Sequence, residues 1–438
     1  MQFSLYGLPQ FAISTTEVFL RLHLVVYLTK IVGLSGTQAG AMVSASLIVS
    51  SIFDPFIGHY SDLMKEKLGQ VKPFIMGSLL SLSIFIILIF IPDWIPSERV
   101  LLFILILGYQ ISYSSFLIPY LALAKELIKS EEDIVTLYAW RYFFGSIGAM
   151  VGVSLPFLGE LFPAKNFAPM GLAMVALIIL FAPTALSRIK EKVQKRKIER
   201  QSTKLFQSLL HLFKNNVFSG YYATFTILSI GLGVNQTLAV YYYQNGLKLT
   251  EGETSILLGV YMLIFCASIP IWVKFAQKKG KKLALTLGLV TMCCVTLIYP
   301  FIPSRNFVAL YSLIVFAGVF TGIVALIDSY LSNIIDFHTY KQSEKKANLI
   351  FGVWRISDKL SRALGIYIAG IILDYTVYNS QSSYSIKDAF GYGVFLFLLA
   401  ASIIFMLQKY NDQHHKKVIR ILKQKNPDLL YKAEELEP

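Results

Sequence analysis

Apolar residues run along this chain in stretches of about twenty, each closed by turn residues or by a cluster of charge, and most show no alternation of period two. A stretch of roughly 20 apolar residues is what an α-helix needs to cross the hydrocarbon layer, whereas barrel strands would be shorter and alternating. The pattern predicts twelve spans, at about 8–30, 37–60, 74–92, 99–124, 134–157, 167–186, 216–244, 253–275, 283–302, 307–330, 348–374 and 387–408. The expected fold class is therefore an all-α polytopic membrane protein. A gap at 188–215 divides it into a six-helix bundle at 1–187 and another at 216–409, followed by a polar tail at 410–438.

Composition agrees with lipid as the solvent. Of 438 residues 55% are hydrophobic and 15% charged, against about 25% charged in a soluble domain. The net charge of +14 does not indicate a nucleic-acid partner, because the basic residues sit in the gaps between apolar runs rather than on one soluble face. Cys266, Cys293 and Cys294 all lie inside apolar stretches, without disulfide or zinc spacing. The N-terminus lacks a basic region and a small-residue cleavage site, so the first helix is expected to be retained. No Walker-type phosphate loop, no repeated selectivity filter and no grouping of nucleophile, base and metal ligands is visible, so neither an ATP-driven pump, a channel nor an enzyme is expected, and no cofactor.

The gaps also orient the chain. Those after the even-numbered spans hold Lys65, Lys67 and Lys72; Lys125 and Lys129; nine basic residues from Arg188 to Lys214; Lys278, Lys279, Lys281 and Lys282; and Lys341, Lys345 and Lys346. The opposite gaps hold one each, Lys30, Arg99, Lys165, Lys248, Arg305 and Lys387. Positive-inside bias then places both termini in the cytoplasm. The 188–215 linker, with only Glu191 and Glu199 against its nine cations, is explained by the same bias, with anionic-lipid or nucleotide binding as the alternative. The tail is expected to be a partly helical, solvated extension.

Ionisable groups within spans are expensive in lipid and mark candidate function. Glu17 and Arg21 are four apart on the first helix, close to His23, and suit either a self-neutralising pair or a place on the substrate path. Ser50 and Asp54 share a face of the second helix, with Pro55 interrupting the ladder beside the carboxylate, which suits a cation or proton site or a brace at the cytoplasmic end. Arg141 lies among Tyr138, Trp140, Tyr142, Phe143 and Phe144, so a polar solute with a flat apolar face could be stacked by Trp140 while the guanidinium donates hydrogen bonds; pairing with Asp54 or Glu17 is the plainer reading. Arg355, Lys359 and Arg362 share a face of the eleventh helix with Asp358 within reach, and Asp328 and Asp336 are candidate counter-charges. A gating network is expected for Arg355, Asp358 and Arg362, with Lys359 left as a pocket candidate. Asn235 and Gln236 on the seventh helix suit hydroxylated solutes, while the Tyr241–Tyr243 triplet suits an interfacial belt.

Three segments carry a family resemblance: Asp54-Pro55 through Gly58 to Ser61-Asp62, then Gly69 and Lys72-Pro73; Ile118-Pro119-Tyr120 through Ala122 to Glu126-Leu127, leading to Tyr138, Trp140, Arg141, Phe144, Gly145 and Gly148; and Asp336 through Gly352 and Trp354 to Lys359, Gly365 and Gly370. Together they resemble the glycoside-pentoside-hexuronide cation symporters of the major facilitator superfamily, the group that includes the melibiose carriers. The resemblance extends over nearly all twelve spans. It implies the major facilitator fold and two-half alternating access around a midplane cavity lined by the first, second, fourth, fifth, seventh and eleventh spans.

Arg141 and Lys359 match the family's functional Arg and Lys, and Asp54 matches the later of two cation-site carboxylates, while Asp62 belongs to the cytoplasmic brace. The earlier cation carboxylate is replaced by Ser50, and two sugar-binding carboxylates fall at Ser14 and Leu117. Losing these hard ligands weakens a sodium site, so proton coupling through Asp54 or Glu17 is expected over sodium, with uniport left open. The expected function is secondary transport of a sugar, glycoside or similar polar solute in a bacterial inner membrane, by a monomer whose partners are the solute, the coupling cation and the bilayer. A lysolipid or amphipath carrier is the alternative within transport, and a receptor or scaffold the alternative outside it.

Overall fold

The computed structural model describes residues 2–90, 98–127, 131–157, 167–189, 212–342, 347–378 and 385–425. The described elements are helical. They run α1 Gln2–Lys30, α2 Gly36–Leu68, α3 Lys72–Phe90, α4 Arg99–Leu127, α5 Glu131–Ser154, α6 Ala168–Arg188 and α7 Asn216–Tyr241, which ends in a wider helical turn, Tyr242–Gly246. Then follow α8 Glu251–Lys279, α9 Lys281–Ile298, α10 Phe307–Thr321, α11 Leu326–Gln342 and α12 Ala347–Thr376. A short helical entry from Ile386 leads to α13 Val394–Leu407, and α14 Asp412–Lys425 closes the described chain. A tight turn, Gly322–Ala325, links α10 to α11 so that the two form one long rod. Each predicted span therefore has its helix, and among the described residues ten helices are long and apolar enough to cross a membrane. Most of the 188–215 linker lies outside the described residues.

Local sequence sets several boundaries. Ser35 caps α2 by accepting from the Gln38 backbone N–H at 3.2 Å while the Gln38 side chain returns to the Ser35 N–H. Gly69, at φ 71°, ends α2, its N–H on the Lys65 carbonyl at 2.8 Å.

Packing divides the chain into two compact units. One comprises Met1–Glu199, Gln236–Met262 and Ile366–Ile386. Its most extensive helix pair is α1 against α5. A methyl group on Gly148 would stand 2.1 Å from the Phe11 carbonyl oxygen and one on Gly152 2.3 Å from that of Thr15, so glycine is what lets these two backbones approach. Thr15 uses the proximity, donating to the Gly148 carbonyl at 3.0 Å. Small residues at helix contacts of this kind replace the hydrophobic drive that lipid cannot supply. Tyr6 and Tyr120 tie α1 to α4, each hydroxyl on the other's carbonyl and the rings stacked at 4.6 Å.

The other unit comprises Arg200–Asn235, Leu263–Gly365 and Lys387–Pro438. Trp354 of α12 is buried here, its ring 3.6 Å from that of Phe225 and 5.3 Å from that of Tyr221. The tail is less free than the sequence suggested. Asp412 at the start of α14 accepts from the backbone N–H groups of Lys281 and Lys282 at 3.0 and 3.1 Å, capping α9, and Tyr410 donates to the Asn333 carbonyl at 3.2 Å. Burial pushes the Tyr410 phenol well above its ordinary range.

Candidate functional site

In the first unit the close approach of α1 and α5 brings Gln10, Ser14 and Arg141 together. Arg141 Nε donates to Gln10 Oε1 at 3.0 Å, and Gln10 Nε2 donates to Ser14 Oγ at 2.9 Å. Gly145 makes room, since a methyl group there would stand 3.1 Å from Gln10 Cγ. Gln10 and Ser14 are buried, while Arg141 is half-exposed. Among the described residues Gln10 is the hydrogen-bond partner of Arg141, through Nε. Trp140 is exposed beside them and stacks on Phe144 at 5.8 Å, with Phe143 edge-on at 5.9 Å. Arg141 and Trp140 were among the candidates drawn from the sequence. Gln10 was not.

Farther along α1, Arg21 pairs with Glu17. Tyr113 of α4 donates to the same carboxylate, and its ring lies 6.3 Å from that of Tyr109. Glu17 and Arg21 are both partly exposed. His23 is buried against Phe19, with ring centroids 5.2 Å apart. The phenols were invisible to local spacing because they stand on another helix.

On α2, Ser50 is fully buried and donates to the Leu47 carbonyl at 2.9 Å, so its proton is engaged within its own helix and the oxygen lone pairs remain. Asp54, one turn on, is half-exposed, and Asp62 is exposed near the end of the helix beyond Ser61, which donates back to the Gly58 carbonyl at 2.8 Å. The tyrosine triplet is not an exposed belt: Tyr241, Tyr242 and Tyr243 are buried, and Tyr241 shares a hydrogen bond with Thr29. Gln236 and Asn235 are half-exposed neighbours on α7.

In the second unit Arg362 Nη2 binds Asp358 Oδ2 at 2.8 Å within one turn of α12. Arg355 is exposed and Lys359 half-exposed. Among the described residues the partner of Asp336 is His415 of α14, at 3.0 Å, in place of the α12 cations proposed from sequence. The side chain of Asp328 lies outside the described residues.

The family model described as MFS/sugar transport protein matches residues 5–410. The chain belongs to this family. It is 24% identical to the uncharacterized symporter YjmB of Bacillus subtilis, covering 96% of this chain and 95% of that one. It is 22% identical to the isoprimeverose transporter of Lactiplantibacillus pentosus, covering 87% and 82%. In fold it is similar to the nucleoside transporter NupG, with a TM-score of 0.68 at 17% identity over 93% of this chain and 99% of that one. It is thus a multi-pass membrane transporter of the major facilitator superfamily.

Proposed function

We propose that this protein is a symporter that carries a sugar or glycoside by alternating access in a bacterial inner membrane, as a monomer with both termini in the cytoplasm. The observation that carries the reading is the Arg141–Gln10–Ser14 chain beside exposed Trp140. Sugars present rings of hydroxyl groups on one side and a C–H face on the other. A guanidinium held at Nε can offer its terminal N–H groups to two hydroxyls, while the indole covers the apolar face. Asn235, Gln236 and Lys359 are separate candidates for polar contacts with solute, Gln236 in the first unit and Asn235 and Lys359 in the second. The names of the relatives, a symporter and an isoprimeverose transporter, support the same class.

For the coupling ion we propose the proton. Ser50 offers a neutral oxygen where a hard cation would want a carboxylate, which leaves Asp54 and Glu17 as the carboxylates able to load and release H+. Asp62, Arg355, Asp358 and Arg362, with Asp328 and Asp336, would serve the cytoplasmic gate.

Uptake of a panel of monosaccharides, disaccharides and glycosides into proteoliposomes, under an imposed pH or sodium gradient, tests this reading. A sugar should accumulate under the pH gradient, and Arg141→Ala should abolish its uptake. Uptake of lysolipid in place of every sugar would favour the amphipath alternative, and accumulation driven by sodium alone would remove the proton.

A further inference from the structure

The N-terminus of α2 presents four backbone N–H groups that its own helix cannot satisfy. Local sequence accounts for two: Gln38 N–H goes to Ser35 Oγ at 3.2 Å and Ser35 N–H to Gln38 Oε1 at 3.4 Å. The other two, on Gly36 and Thr37, donate to the two carboxylate oxygens of Asp374 at 2.5 and 2.8 Å. Asp374 stands on α12, more than three hundred residues away. It belongs to none of the sites described above.

The surroundings are built for this contact. Gly36 and Gly40 lie one turn apart on α2 and meet Gly370 one turn before Asp374. A methyl group on Gly36 would stand 2.5 Å from the Gly370 carbonyl oxygen, and one on Gly370 2.3 Å from the Gly36 carbonyl oxygen. On the same end of the molecule, Thr29 shares a hydrogen bond with Tyr241, and Lys30 donates to Gln244. Each contact joins a helix of the first six, α1 or α2, to one of the last six, α7 or α12. All lie at the end where the connecting loops carry few basic residues.

We infer that Asp374 is a gating residue: its carboxylate on the α2 N-terminus latches this end of the transporter shut, and the latch must part for solute to enter there. This rests on the transport reading, since only a cycling protein needs the end to open. A carboxylate suits the task because its bonds to N–H groups are charge-assisted and the helix dipole adds to them, while both partners can be hydrated when they separate. The capping box at Ser35 keeps α2 intact in that open state, so the helix does not depend on Asp374 for its existence.

The test is a bridging rate. With Cys266, Cys293 and Cys294 replaced by Ser, Lys30→Cys and Gln244→Cys place thiols on α1 and after α7, where Lys30 and Gln244 now meet. A short bifunctional thiol reagent bridges them when the end is shut, and intact mass separates the bridged species from the doubly labelled one. Adding Asp374→Ala should slow bridging about tenfold, the scale of losing hydrogen bonds to a charged group, and Asp374→Asn, of the same size, should slow it less. A parental rate in a folded variant overturns the inference. So does failure of both variants to fold, because a contact that opens in every cycle cannot be required for the fold. No solute or gradient enters this measurement. Slowed bridging in a protein that moves no sugar would therefore keep the latch and remove the transport reading, and parental bridging in a working symporter would do the reverse.

Discussion

Gln10 Oε1 accepts the Nε–H of Arg141 at 3.0 Å, and Gln10 then hands its own amide N–H to Ser14. The contact ties the guanidinium to α1 through its Nε–H. Gln10→Leu keeps the volume and removes the acceptor. Initial uptake should fall about tenfold, as expected for a lost hydrogen bond to a charged group, with the unfolding temperature unchanged. Arg141→Lys should do worse, since an ammonium cannot hold Gln10 and present a planar fork at once.

Glu17 receives Arg21 from its own helix and Tyr113 from α4. If it loads the proton, Glu17→Gln should abolish accumulation driven by a pH gradient while leaving exchange of labelled for unlabelled sugar, which needs no net proton movement. Loss of both activities would assign Glu17 to sugar binding instead. Retention of both would leave Asp54 as the coupling group.

Gly148→Ala should be costly although α5 stays helical. The added methyl would stand 2.1 Å from the Phe11 carbonyl, a rigid backbone atom, so α1 and α5 must separate. The expected loss is about 1–3 kcal/mol, as for overpacking elsewhere, read as a lower unfolding temperature in detergent.

Two tryptophans should separate stability from transport. Trp354→Ala removes a buried ring from the Phe225 and Tyr221 stack and should cost roughly 3–5 kcal/mol. Trp140→Ala deletes an exposed ring beside Arg141 and should leave thermal unfolding in place while raising the sugar concentration needed for half-maximal uptake.

Asp412→Ala should release α14 without unfolding the membrane helices. It removes two cap bonds from the start of α9, worth about 1 kcal/mol, and leaves His415–Asp336 on α14 and Tyr410–Asn333 just before it as polar ties. Faster proteolytic cleavage after Leu407, with uptake little changed, is the expected outcome.

The twelve spans were legible in the chain because each is a local property. About twenty apolar residues must become helix in lipid whatever surrounds them, and loop charge records the preferred side of the membrane without reference to packing. Arg141, Trp140, Glu17 and Asp54 were legible for a related reason, as groups that lipid alone would exclude. Tertiary structure decided their partners. Gln10 reaches Arg141 across two helices because Gly145, Gly148 and Gly152 let backbones meet, and Tyr113 reaches Glu17 from a third helix. Asp336 turned to His415 of a tail that composition alone had left in solvent. Asp374 is the clearest case. In the sequence it is a lone acid at the end of an apolar span, and nothing nearby distinguishes it from a solvated helix terminus. Its partners are two backbone N–H groups at the start of α2, and backbone donors carry no residue identity by which a sequence could announce them. Periodicity and charge determined which segments cross the membrane; contacts between segments far apart in the chain decided which polar groups work together.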